Sequence, residues 1–186
     1  MTASKRLDGA QTRAVRLVIF DVDGVLTDAG VYVGALPGGG TLELKRFDIQ
    51  DGLGIVLLKQ AGIRVAFVSG RLSEATTLRA AELGVDECHQ DPDAHKVPLV
   101  EGILRRAGAT WDQAAMLADD LPDLAVFRRV GLKAAVANAQ PEIAELADWR
   151  SSSPGGRGAV REFCRALLEA RGEWQGLIAE YERERS

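Results

Sequence analysis

The sequence predicts a doubly wound α/β domain: a parallel sheet with helices on both faces. Three observations carry this. Short apolar runs recur along the chain, amphipathic stretches of helical period fill the gaps, and a glycine stands just past each of those stretches. Near-continuous apolar runs suit strands buried on both faces of a parallel sheet. Glycine past a helix supplies the left-handed terminating residue. The alternating order places ligands at the carboxyl ends of the strands.

The first 14 residues lack the unbroken apolar core of a signal peptide and read as a flexible polar arm. RLVIF (16–20) is the first expected strand. GVYVGALPGGGTLELKRF (30–47) alternates around a Pro-Gly-Gly-Gly centre and reads as a β-hairpin overhanging the ligand end. A helix over 51–61 stops at Gly62, a strand follows at RVAFV (64–68), and a second helix covers 73–83 up to Gly84. Between Ser69 and Asp119 two helices and one short strand use up the residues, the second helix being 96–107, ended by Gly108. Thr110 and Gln113 form a capping box opening one short turn before the strand AAMLA (114–118). A helix over 120–130 ends at Gly131 and leads into LKAAV (132–136). SSSPGGRG (151–158) is the most loop-like stretch, and a helix pattern covers 159–170. One domain is expected over 15–170, with 171–186 as a C-terminal helical tail. Trp174, Leu177, Ile178 and Tyr181 form one face of that tail, which either folds onto its own core or docks on a neighbouring subunit.

A length of 186 residues suits one domain with a sizeable core. The net charge of -4 argues against a nucleic-acid partner, which calls for a basic face. No apolar run approaches the ~20 residues of a membrane span. Cys88 and Cys164 form neither a disulfide framework nor a CxxC pair, so the cytoplasm is the expected location.

The chemistry gathers at the predicted strand ends. LVIFDVDGVLTD packs Asp21, Asp23 and Asp28 directly behind an apolar run, and ADDLPD places Asp119, Asp120 and Asp123 behind another. Carboxylates crowded on one sheet edge need a compensating cation, and an all-oxygen, partly solvated set favours Mg²⁺. VSGR supplies Ser69, Gly70 and Arg71, a hydroxyl, a close backbone approach and a guanidinium. Lys96 opens a helix, where its ammonium and the helix N-terminus both favour an anion. The set suits phosphoryl transfer through an aspartyl-phosphate.

DVDGVLTD, SGR, the lone lysine and DDLPD, in that order, resemble the four motifs of the haloacid dehalogenase-like phosphatases, which have a Rossmann-like fold. DVDGVLTDAGVYVG, FDIQDGLGI and SSPGGRGAVREFC narrow the resemblance to the small branch without a cap domain, typified by 3-deoxy-D-manno-octulosonate 8-phosphate phosphatases. The resemblance implies Asp21 as nucleophile and Asp23 as general acid/base, its backbone carbonyl also on the metal. Mg²⁺ would be held by Asp21, Asp23 and Asp119, with Asp120 and Asp123 behind them. Ser69 and Gly70 would hold the phosphoryl oxygens, and Lys96 would bridge nucleophile and phosphate. Ala118 departs from the family's usual glycine before the metal-binding aspartate.

Plainer roles compete at several positions. Asp28 reads as a turn residue, and Asp120 suits a helix cap as well as it suits the metal's surroundings. His89 and His95 lack zinc-ligand spacing. The paired arginines at 105–106 and 128–129 read as solvated helix faces.

The spacing leaves no room for a cap domain, so closure over a reactive intermediate must come from elsewhere. The resemblance implies a homotetramer whose hairpins associate, with GGRG near the site and Arg157 on the substrate carboxylate. In the resembling enzymes arginine follows Ser/Thr-Gly where nine-carbon ulosonate 9-phosphate phosphatases have glutamate. The resemblance thus implies that Arg71 favours 3-deoxy-D-manno-octulosonate 8-phosphate, arginine being able to pair an anionic or polyhydroxy sugar bidentately. A nonulosonate 9-phosphate or another small sugar phosphate is the alternative, and a non-catalytic oligomerisation module is the reading from a different class.

Overall fold

The computed structural model describes residues 7–186; residues 1–6 of the expected arm lie outside the described residues. Six parallel strands form the main sheet: β1 (Leu17–Phe20), β4 (Arg64–Ser69), β5 (Glu87–Gln90), β6 (Ala114–Ala118), β7 (Leu132–Ala135) and β8 (Trp149–Arg150), in the order β5-β4-β1-β6-β7-β8. β1 is central, with Phe20 opposite Phe67 on one side and Leu117 on the other. The order reverses at β1, and such a switch point opens a crevice at the carboxyl edge.

The pleat sends alternate side chains to two cores. Val18 and Phe20 pack beneath α2 (Ile49–Gln60) and α7 (Ala159–Arg171), where the Phe20 ring meets Phe67 and Phe163 edge-on at 6.4 Å. Leu17 and Ile19 face the opposite way, toward α4 (Lys96–Ala107) and α5 (Leu124–Phe127). The runs are apolar at every position because both faces are covered.

A separate antiparallel pair, β2 (Tyr32–Ala35) and β3 (Thr41–Leu44), forms the expected hairpin. Gly38, Gly39 and Gly40 all have positive φ, 94°, 101° and 104°, so three consecutive glycines are what the turn needs. α3 (Glu74–Leu83) and α4 stop at Gly84 and Gly108, both left-handed as expected. Thr110 N–H donates to Gln113 Oε1 at 3.1 Å in the expected capping box.

Two expectations need correction. The helix expected over 120–130 is only a single 3₁₀ turn, Leu121–Asp123, followed by four-residue α5, and Gly131 serves a close approach to Asp112 rather than a left-handed cap. The arm is not loose over its second half: Gly9–Ala14 form α1, capped by Asp8 and packed on α7, with Leu7 buried. The tail helix, α8 (Trp174–Arg183), buries Trp174 and Leu177 on its own chain, and Arg161 and Arg165 stack on the indole at 4.9 and 5.6 Å. The short helix α6 (Pro141–Ala144) and the two-residue β8 complete the fold.

Candidate active site

Asp21 follows β1, Ser69 ends β4, Asp119 follows β6 and Lys96 opens α4, so the strand order alone brings the four predicted motifs to one edge. Behind β1 the chain cannot continue as a strand. Gly24 takes φ 102°, and a Cβ there would overlap the Asp119 carboxylate. This turn pulls the first acidic segment against the fourth.

Asp21, Asp119 and Asp123 each offer an oxygen within 4.8 Å of the others. Lys96 Nζ donates to Asp21 Oδ1 at 2.5 Å and to Asp123 Oδ1 at 2.6 Å, with its side chain almost wholly buried. Burial opposes charge on that ammonium, but Asp21 and Asp123 outweigh it and raise its pKa. The acids move upward too. Burial raises Asp21, burial and then Asp21's charge push Asp119 up to about 8, and the same two causes push Asp123 up to about 7. One ammonium thus faces three carboxylates, and Asp119 Oδ1 is buried without a hydrogen-bond partner. A buried, unpartnered carboxylate oxygen beside an excess of negative charge fits a divalent cation, and the all-oxygen donor set fits magnesium.

The Asp23 side chain does not join this triple. Lys45 Nζ donates to both of its oxygens, at 2.7 and 2.9 Å, and Ser69 Oγ donates to Oδ2 at 3.3 Å. The carboxylates that converge are therefore 21, 119 and 123, while Asp23 lines the same cleft with its carboxylate held by Lys45. Asp123 is a full member of the cluster. Asp120 instead caps the following turn, its Oδ1 accepting from Leu121 N–H at 2.7 Å. Asp28 also leaves the cluster: Oδ1 accepts from Gly30 N–H and Oδ2 from the Tyr32 hydroxyl.

Gly70 and Arg71 line the same cleft of about 150 Å³ as Asp21, Asp23, Lys96 and Asp119. Arg71 is held by Glu43 at 3.0 Å and lies 3.7 Å from Asp23. Arg157 is exposed and does not line the cleft. Ala118 is fully buried at the end of β6, and its methyl is accommodated while Asp119 keeps its place. Lys45 and Glu43 were not singled out from the sequence. They sit at the foot of the alternating hairpin, where nothing local marks them as partners of Asp23 and Arg71.

No protein-family model matches the chain. The 3-deoxy-D-manno-octulosonate 8-phosphate phosphatase KdsC of Escherichia coli is 38% identical over 164 residues, 88% of this chain and 85% of that protein. A probable YrbI-family phosphatase from Pseudomonas syringae superposes with a TM-score of 0.85 at 39% identity, covering 93% of this chain and 96% of the other. The 3-deoxy-D-manno-octulosonate 8-phosphate phosphatase of Moraxella catarrhalis, solved with magnesium, phosphate and the sugar acid, gives 0.85 at 33%, covering 93% and 97%. With identity of this level over most of both sequences, and with the four motifs converging on one sheet edge, the chain belongs to the 3-deoxy-D-manno-octulosonate 8-phosphate phosphatase family of the haloacid dehalogenase superfamily.

Proposed function

We propose that this chain is a magnesium-dependent phosphomonoesterase for an acidic sugar phosphate, with 3-deoxy-D-manno-octulosonate 8-phosphate as its substrate. The observation that carries the reading is the meeting of Asp21, Asp119, Asp123 and Lys96 at the carboxyl edge. Asp21, Asp119 and the Asp23 carbonyl would hold the ion, with Asp123 behind them. Magnesium, when bound, supplies positive charge against the phosphoryl oxygens.

The protein's own groups account for the remaining steps. An Asp21 oxygen attacks phosphorus as the ester P–O bond breaks, and Asp23 gives its proton to the leaving sugar oxygen. Water then attacks the aspartyl-phosphate, Asp23 takes the water's proton, and the Asp21–phosphorus bond breaks. Lys96 holds Asp21 and faces the phosphoryl charge, while Ser69 and the Gly70 backbone receive the remaining oxygens. Lys45 fixes the Asp23 carboxylate beside Ser69. Arg71, which lines the cleft, would pair with the anionic or polyhydroxy sugar, and the substrate-carboxylate contact proposed for Arg157 would require the sugar to reach beyond the cleft.

The cleft of about 150 Å³ suits a phosphoryl group but not a whole sugar acid, since enclosed ligand sites for larger molecules run to several hundred Å³. The sugar therefore projects toward the hairpin. That hairpin exposes Val31, Tyr32, Val33, Leu36, Leu42 and Leu44 together, and such a patch calls for a partner surface. A homotetramer joined through its hairpins supplies the cover. Cytoplasmic residence fits two cysteines that are both free. Among the described residues no helix is long and apolar enough to cross a membrane.

A panel of sugar phosphates, assayed with Mg²⁺ and with chelator, tests the reading. Phosphate release should be greatest from the eight-carbon ulosonate ester, stop with chelator, and fall about 10,000-fold in Asp21→Asn. Preference for a nine-carbon ulosonate ester moves the substrate assignment, and release unchanged by Asp21→Asn defeats the mechanism.

A further inference from the structure

Asp51 is a buried carboxylate that the proposed reaction does not use. It lies in the first turn of α2, 1% exposed, and its Oδ1 accepts the Arg161 backbone N–H at 2.8 Å. The Gly158 N–H faces the same carboxylate without hydrogen-bond geometry, and Oδ2 has no hydrogen-bond partner. Arg161 is in the first turn of α7, whose own N-cap is Gly158, a residue with no side chain to cap it. The free amides of a helix start carry partial positive charge. Asp51 supplies the missing acceptor from a different helix. Gly54, one turn further along α2, makes this possible: a Cβ there would stand 3.2 Å from Cys164 and 3.3 Å from the Arg161 Cα, so the two helices touch closely.

The turn that feeds α7 leads straight to the candidate metal site. Gly155 and Gly156 press on the first acidic segment, with no room for a Cβ against Gly24 or Thr27, and Gly156 N–H donates to Val25 O at 2.9 Å. Gly24 in turn abuts Asp119. Arg46, whose side chain is 44% exposed, donates from Nη1 to the Gly156 carbonyl.

We infer that Asp51 is a positioning residue for the magnesium site: it seats the start of α7, which with Arg46 holds the Gly155–Gly156 turn against Gly24 and so fixes the distance from Asp21 to Asp119. This rests on the proposed function, in which Asp21 and Asp119 hold the ion. Asp51 touches neither ion nor substrate, so its effect is on the geometry of other residues. Supports of metal ligands typically change affinity by about 10–100-fold when removed.

Calorimetric titration of Mg²⁺ alone into the chelator-stripped full chain, with thermal melts alongside, tests this. Asp51→Leu keeps approximate size and removes the acceptor that seats Arg161 N–H. It should stay folded and bind Mg²⁺ at least about tenfold more weakly, with the KM for substrate at saturating Mg²⁺ unchanged; Asp51→Asn, which keeps an Oδ1 acceptor, should retain most of the affinity. Arg46→Met, at an exposed position, should weaken Mg²⁺ binding in the same direction and leave the melting temperature unaltered. Folded Asp51→Leu protein with wild-type Mg²⁺ affinity overturns the proposal. Should Asp51→Leu not fold, Arg46→Met decides: wild-type affinity there overturns it, and weakened binding supports it. Absence of Mg²⁺ binding in the unsubstituted chain defeats the metal reading itself, which is a different failure.

Discussion

Gly24 and Asp119 lie about 95 residues apart in the sequence, and no side chain fits between them. The closeness places one carboxylate against the backbone of the segment that carries the other. Gly24→Ala must therefore displace Asp119 or unwind the turn, and φ 102° adds strain for any residue with a Cβ. Phosphatase activity should drop at least about 100-fold, since a misplacement of roughly 1 Å is enough for that. Near-wild-type turnover in Gly24→Ala would show that the contact is not needed.

Lys96 answers two buried carboxylates with one ammonium. Lys96→Met leaves both without that partner, a change that typically costs about 3–5 kcal/mol. Urea denaturation without Mg²⁺ should show a loss of that order, together with loss of turnover. An unchanged midpoint would mean the acids relax into another arrangement.

Burial and the charge of Asp21 push Asp119 up to about 8 and Asp123 up to about 7 in the metal-free protein, so both are partly protonated near neutral pH. Binding Mg²⁺ must release the Asp119 proton, because a ligand carboxylate is deprotonated, and the ion's charge lowers Asp123 behind it. Mg²⁺ affinity should therefore rise with pH between about 6 and 8, and titrations in buffers of different ionisation enthalpy should register proton release. A flat affinity profile over that interval would contradict the clustered geometry.

Burial pushes Asp51 up to about 6 from 3.8, with Asp48 adding to the rise and the Arg161 amide, Gly158 amide and Arg79 opposing it; Cys164 also faces the group. A raised carboxyl pKa stabilises the fold fully below pH 3.8, and that stability is lost as pH climbs to 6. Above pH 6 the buried ion is a liability of up to roughly 3 kcal/mol. Asp51→Asn should accordingly melt higher than the unsubstituted protein at pH 7, with the advantage gone near pH 4. The reverse trend in melting temperature would refute the assignment. Together with weakened Mg²⁺ binding in Asp51→Leu, this would make Asp51 a residue kept for geometry at the expense of stability.

The hairpin patch predicts assembly. Val33 is 64% exposed on β2, so Val33→Glu should leave the fold intact while dissociating the oligomer in sizing and light-scattering measurements. Discrimination between sugar phosphates should narrow at the same time. A monomer with undiminished discrimination would separate cover from assembly.

The apolar strands and α4 were legible because burial on both faces leaves a run with no polar interruption, and Lys96–Ala107 ends where Gly108 says it should. β5 was hard to place, since Glu-Cys-His-Gln is a half-buried edge strand whose polar groups reach outward to Arg106 and Thr77. α1 carries no strong apolar period; its place is set by packing on α7, a contact about 150 residues away in sequence. The acids announced themselves by crowding. Lys45 and Asp51 did not, because their importance depends on partners at Asp23 and Arg161 that only the folded chain brings near.

The small cleft has a wider consequence. On the proposed reaction, the bond-breaking residues line a cleft with room for the transferred phosphoryl group and little of the sugar. On the proposed function, recognition of the organic remainder falls to the open side of the cleft, where half-exposed Arg71 is held by Glu43 of the hairpin. New sugar preferences can thus evolve by redecorating that periphery, while the acidic heart of the enzyme is inherited untouched.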